Sequence, residues 1–159
     1  MTFHMLFASV TQLAAALRAG DVSAAEVLEA HLGQIAAHSP ALNAIVTLDA
    51  ERAQARARAA DAARARGQLL GPLHGVPFTL KDAFATAGMR TTTGTPMLDR
   101  VPVEESTVSA RLTQAGGILM GKTNVAEMLG DPAQTSNPWN TARTPGGSSG
   151  GADRPAPGA

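Results

Sequence analysis

The sequence predicts an α/β fold: a mixed, largely parallel sheet with flanking helices. Three observations carry that prediction. Apolar residues recur at helical spacing through the first third of the chain. From Gly71 onward, short β-branched runs alternate with helical stretches, the pattern of strands connected through helices. The chain has 159 residues, 44% of them hydrophobic, enough for one domain with a core. Aromatics make up 3% and tyrosine is absent, so that core is built from Ala, Leu, Val, Ile and Met.

The elements follow in order. Ser9 with Gln12 three residues on forms a capping box, opening a short helix through Leu13, Ala16 and Leu17 that Gly20 ends. Ser23 and Glu26 repeat the device and start a second helix with Val27, Leu28, Leu32 and Ile35 on one face. Pro40 disfavours helix at Ser39, so this helix is expected to stop there. Ala44 to Leu48 is short and β-branched and reads as a strand. Glu51 to Arg66 is rich in Ala and Arg, both strong helix formers, and reads as a solvated helix packed through its alanines rather than as a disordered tract. Val76 to Leu80 reads as a strand leading into Lys81, followed by a Gly/Thr loop at Thr91 to Thr95. A helix over Thr107 to Ala115 is stopped by Gly116-Gly117, and a strand follows at Ile118 to Met120. Asn124, with Glu127 three residues later, is expected to cap a further short helix.

Composition narrows the function. Thirteen basic residues balance thirteen acidic ones, leaving no net pull toward nucleic acid or membrane. The arginines of residues 51–66 lack an aromatic stacking platform and are diluted by Glu51 and Asp61, so they read as a wet face. Cysteine is absent, which excludes disulfides, thiolate metal sites and a Cys nucleophile. His4, His31, His38 and His74 are scattered without metal-ligand spacing, and neither a Ser-His-Asp triad nor a dinucleotide fingerprint is present. With no secretory leader and no span of transmembrane length, a soluble, cytoplasmic protein is expected.

Two features bear chemistry. Lys81 is one of two lysines against eleven arginines. Arginine stays charged, whereas a lysine withdrawn from water can lose its proton near neutral pH and act as a base. Taken alone, a lysine at a strand end is a surface residue. The second feature is Gly146-Gly147-Ser148-Ser149-Gly150-Gly151, which as a bare hexapeptide reads as a linker, a turn or, less well, a phosphate loop.

In context both become specific. The run Gly71-Pro-Leu-His-Gly-Val-Pro-Phe-Thr-Leu-Lys-Asp82, the run Gly121-Lys122-Thr123-Asn124, and the glycine–serine loop preceded by Asn137-Pro-Trp-Asn140 and Arg143-Thr-Pro145 together resemble the amidase signature family. The similarity extends from about Ser9 to Gly151. It implies residues 1–151 as the N-terminal part of an incomplete amidase signature domain, with 152–159 an atypical, disordered tail. It implies hydrolysis of carbon–nitrogen bonds in small-molecule amides by a Ser–cis-Ser–Lys triad, without cofactor or metal. Lys81 falls on the family's base and Ser148 on its bridging serine, which follows a cis peptide bond. Such bonds cost about 3–4 kcal/mol outside proline and persist where function uses them. Ser149 is then a loop hydrogen-bonding residue, Lys122 a structural one and His74 a loop residue.

The family's nucleophilic serine follows the loop by a couple of dozen residues, with the backbone of its oxyanion hole beside it. The 159 residues reach neither, so by themselves they are expected to be inactive; loss of one oxyanion donor alone costs ~10²–10³ in rate. Pro155 and Pro157 forbid the helical segment that the family has there, as a shifted reading frame or an artificial end would explain. Ser136-Asn137-Pro138-Trp139 is shortened relative to the family. Two alternatives stand beside an amidase: a non-catalytic binding remnant that self-associates through exposed surface, and part of the A-type subunit of a glutamyl-tRNA amidotransferase.

Overall fold

The computed structural model describes residues 5–130 and 135–151. The expected disordered tail, 152–159, lies outside the described residues, as do 131–134 beside the shortened Asn-Pro-Trp segment. The order of elements is α1 (Val10–Ala19), α2 (Ala24–Leu42), β1 (Ile45–Leu48), α3 (Ala50–Ala65), β2 (Pro77–Lys81), α4 (Thr107–Gln114) and β3 (Ile118–Thr123), with 3-10 turns at Pro96–Leu98 and Glu127–Leu129. Helices and strands alternate as the sequence predicts.

One compact unit comprises the described residues of Met1–Gln34, Asp49–Phe78 and Ala110–Met120. Its helix ends follow the sequence closely. Gln12 N–H donates to Ser9 Oγ and Ser9 N–H to Gln12 Oε1, closing the capping box, and Gly20 ends α1 at φ 85°. At the start of α2 the orphan N–H groups of a helix N-terminus are all satisfied. Ala24 and Ala25 donate to the two carboxylate oxygens of Asp61 at 2.7 and 3.1 Å, Glu26 to Ser23 Oγ at 3.1 Å, and Val27 to the Ser23 carbonyl. α3 buries Ala53, Ala57, Ala60 and Ala63 on one face, the alanine packing expected of it. Leu17, Val27, Leu28 and Ile118 complete this core at 2% exposure or less.

The other unit comprises the described residues of Ile35–Leu48, Thr79–Ser109 and Gly121–Ala159. The sheet has the order β1-β3-β2. β1 runs antiparallel to β3, pairing Ile45 with Thr123, Thr47 with Lys122 and Leu48 with Gly121 across one irregularity in register. β2 and β3 are parallel: Ile118 N–H meets the Val76 carbonyl near their starts, and Asp82 N–H meets the Thr123 carbonyl just past their ends. The sheet is therefore mixed, one pair of each kind. All six positions of β3 are buried, as befits a central strand.

Two boundaries shift by three residues, and one expected helix does not form. α2 continues to Leu42 with Pro40 inside it, because the final turn closes through other groups: Asn43, in the left-handed region at φ 52°, donates to the Ser39 carbonyl. β3 runs to Thr123 rather than Met120 because Gly121 lets the Thr47 carbonyl approach where a Cβ would collide with it. Asn124 caps no helix. Its side chain donates to the Asn43 carbonyl, and Glu127–Leu129 forms a 3-10 turn with Met128 and Leu129 both at positive φ.

Candidate functional site

Lys81 is the last residue of β2, and its carbonyl accepts from Phe84 N–H, so the chain turns immediately after it. The next residue is clamped. Asp82 is 1% exposed, and its Oδ2 accepts from Thr92 N–H at 3.0 Å and Thr92 Oγ1 at 2.5 Å. Its backbone carbonyl takes the Thr93 N–H. The Gly/Thr loop that the sequence marked thus wraps the aspartate beside the lysine.

The second lysine lies beneath. Lys122 is fully buried, donating to the Phe84 carbonyl at 2.5 Å and Thr91 Oγ1 at 2.9 Å, with Asp82 Oδ1 3.9 Å away. Burial pushes its ammonium below the ordinary lysine range, and the Asp82 charge opposes that shift. The partners of the Lys122 ammonium, Phe84, Thr91 and Asp82, all belong to the turn and loop that follow Lys81.

The glycine–serine loop returns to the same end of the sheet. Gly151 is its anchor, its N–H donating to the Asn124 carbonyl at 3.1 Å. A Cβ at 151 would strike the Ala44 carbonyl and come within 2.5 Å of Asn124 N, so only glycine permits this approach. Gly146 and Gly147, at φ 100° and 49°, turn the chain so that both serines face the lysine. Lys81 Nζ donates to Ser148 Oγ at 2.8 Å and to Ser149 Oγ at 3.0 Å, and all three residues are half-buried. The two expected site residues, 67 positions apart in the chain, are hydrogen-bonded. Ser149, expected only to brace its loop, shares the lysine.

His74 lies in the turn that precedes β2, a loop residue as the resemblance implies, but a buried one. It is 4% exposed, and its Nδ1 accepts from Leu70 N–H at 3.1 Å. Burial depresses its pKa below the ordinary histidine value, aided by Arg64 and opposed by Asp61. The preceding Asn-Pro-Trp segment forms a tight turn: Trp139 N–H donates to Asn137 Oδ1, and Asn137 and Asn140 form an isolated bridge. A cleft of about 180 Å³ in this unit is lined by Thr92, Thr95 and Asn124, among others, but by neither Lys81 nor Ser148.

A lysine and a serine pair held at the end of a mixed sheet by a glycine-rich loop is the arrangement that the resemblance to the amidase signature family implies, and likeness to known proteins points to that family. The Amidase family model matches residues 26–152, and the chain belongs to that family. Among curated relatives, the A-type subunit of glutamyl-tRNA(Gln) amidotransferase from Synechococcus sp. (strain CC9605) is 49% identical over 143 residues, 85% of this chain and 29% of the relative. Its counterpart from Acidothermus cellulolyticus is 46% identical over 151 residues, 90% of this chain and 30% of its own length. The native peptide amidase of Stenotrophomonas maltophilia superposes with a TM-score of 0.85 at 33% identity, over 94% of this chain and 34% of that one. The chain thus spans under a third of the curated relatives it matches. Among the described residues, no helix is long and apolar enough to cross a membrane.

Proposed function

We propose that this chain supplies the lysine and bridging-serine part of an amidase centre, acting on small-molecule amides. The 2.8 Å contact between Lys81 Nζ and Ser148 Oγ is the observation that carries the reading. In the proposed relay the uncharged amine of Lys81 takes a proton from Ser148 Oγ while Ser148 takes one from the attacking serine. That serine bonds to the amide carbon. The relay then runs backward to protonate the leaving nitrogen, and a second passage activates water against the acyl-enzyme. The attacking serine and its oxyanion donors belong, on this reading, to the two thirds of the relatives' length that these residues do not span. The relay uses side chains alone.

The test joins residues 1–151 to the downstream portion of the Synechococcus relative. The chimera is expected to release ammonia or amine from amide substrates, and Lys81→Ala or Ser148→Ala to lower kcat by at least about 10²-fold. Full activity in either variant overturns the reading. Residues 1–159 assayed by themselves are expected to show no amide turnover.

A second reading, part of an amidotransferase A-type subunit, draws support from the 49% identity to the Synechococcus protein of that name. Glutamine as the preferred amide of the chimera, over peptide and aryl amides, would favour it. The reverse preference would favour a free-standing amidase.

A further inference from the structure

We propose that Ser148 is itself a nucleophile toward activated acyl esters, with Lys81 as its general base. A serine hydroxyl is a weak nucleophile unless a base lies within hydrogen-bond reach, and a serine–lysine pair meets that requirement without histidine. Lys81 Nζ is 2.8 Å from Ser148 Oγ. Both residues are half-buried, so a reagent can reach the oxygen and bulk water does not fully surround the amine.

The loop's burial differs on the two sides of the serine pair. Gly147, which precedes Ser148, is exposed and offers no side chain to block approach, whereas Gly150 and Gly151, which follow Ser149, are buried, with Gly151 held against Asn124. Ser148 adjoins the exposed side, and its Oγ is the nearer of the two to Lys81 Nζ, at 2.8 Å against 3.0 Å.

The leaving group selects the substrate. Expulsion of an amide nitrogen needs a proton delivered to it, whereas a nitrophenolate departs as the anion. Attack of Ser148 Oγ on a p-nitrophenyl ester forms the Oγ–acyl bond and passes the hydroxyl proton to Lys81 Nζ. The acyl–oxygen bond breaks, nitrophenolate leaves with the electron pair, and the lysine returns its proton to solvent. The product is O-acyl-Ser148. This reaction does not depend on the amidase reading: the chimera can hydrolyse amides while Ser148 stays inert, or the reverse.

The chain has no cysteine or tyrosine to compete, and of its two lysines Lys122 is fully buried. Its four histidines also release nitrophenolate, but their acyl-imidazoles hydrolyse, so the lasting adduct, not the release alone, identifies the nucleophile. The 159-residue chain is incubated with p-nitrophenyl acetate, nitrophenolate release is followed, and the acetylated peptide is identified by mass spectrometry. One acetyl group on Ser148 is expected, with a rate that rises with pH. Lys81→Ala should slow the acylation by about 10²-fold or more. Lys81→Arg, which keeps a long cationic side chain but cannot give up its proton, should be equally slow, and circular dichroism melts should confirm that both variants fold. If both melt as unfolded, Ser148→Ala decides: loss of the burst with an unchanged melt supports the assignment. Acetylation found only on Ser149, Lys81 or the N-terminus overturns the proposal. So does no acetylation, or acetylation of Ser148 at the same rate in folded Lys81 variants.

Discussion

At the residue scale, the two lysines divide the labour of the site by burial. Lys81 was legible because a known motif surrounds it; no periodicity or spacing would have raised it above a strand-end surface residue. Its clamp was not legible, since Thr92 returns to Asp82 across a ten-residue loop and Lys122 reaches it from the neighbouring strand β3. Removing one member of a buried charge pair leaves the other unpaired, which costs about 3–5 kcal/mol. Lys122→Met is therefore expected to lower the unfolding free energy by roughly that amount. Adding Asp82→Asn should recover part of the loss, a non-additivity readable by urea titration of the two single variants and the double. His74 supplies the pH dependence. Its folded pKa lies below the unfolded value, so the unfolded chain binds the proton more readily. The stability it contributes is complete above about pH 6.5 and is lost as pH falls toward the lower folded value. Urea midpoints should fall between pH 7.5 and 5.5 for the natural chain, and fall less for His74→Asn, whose amide oxygen can still accept from Leu70 N–H.

At the element scale, local signals were readable and borrowed ones were not. The capping boxes of α1 and α2 lie within four residues of sequence, and both form. Asp61 is different: it lies in α3, 37 residues from the Ala24 N–H that it accepts, so a sequence reading sees only a charge on a helix. Asp61→Ala should cost about 1–2 kcal/mol by stripping two N–H groups of their acceptor, measurable by denaturant titration. Pro40 misled for a related reason. The rule against helix before proline is local, but the last turn of α2 is secured by Asn43 beyond it. Gly151 is the most sensitive position in the glycine–serine loop. Gly151→Ala forces the Ala44 and Asn124 backbones apart, and about 1–3 kcal/mol of destabilisation is expected. In the chimera it should also depress kcat more than KM, since Ser148 would leave the reach of Lys81.

At the scale of the whole molecule, the fold class and the α/β alternation were legible, because they rest on runs of residues rather than on single contacts. What the sequence could not display is how much apolar surface stays uncovered. Val103, Met97 and Trp139 are 92%, 84% and 67% exposed. Large apolar side chains left in water favour association. The 159-residue chain is expected to shift toward larger species in light scattering as concentration rises, and the chimera to do so less. A monomer at all concentrations would contradict this.

The alanine face of α3 has a consequence for anyone mapping this protein by mutation. At Ala53, Ala57, Ala60 and Ala63 no substitute for the buried methyl group keeps both its volume and its helix propensity. Glycine loses about 1 kcal/mol of helix propensity, and anything bulkier must displace the surrounding core. A saturation scan will therefore flag these four chemically inert positions as sharply as Lys81 and Ser148, and intolerance alone will not distinguish scaffold from site. Separating them requires a readout of chemistry at constant stability.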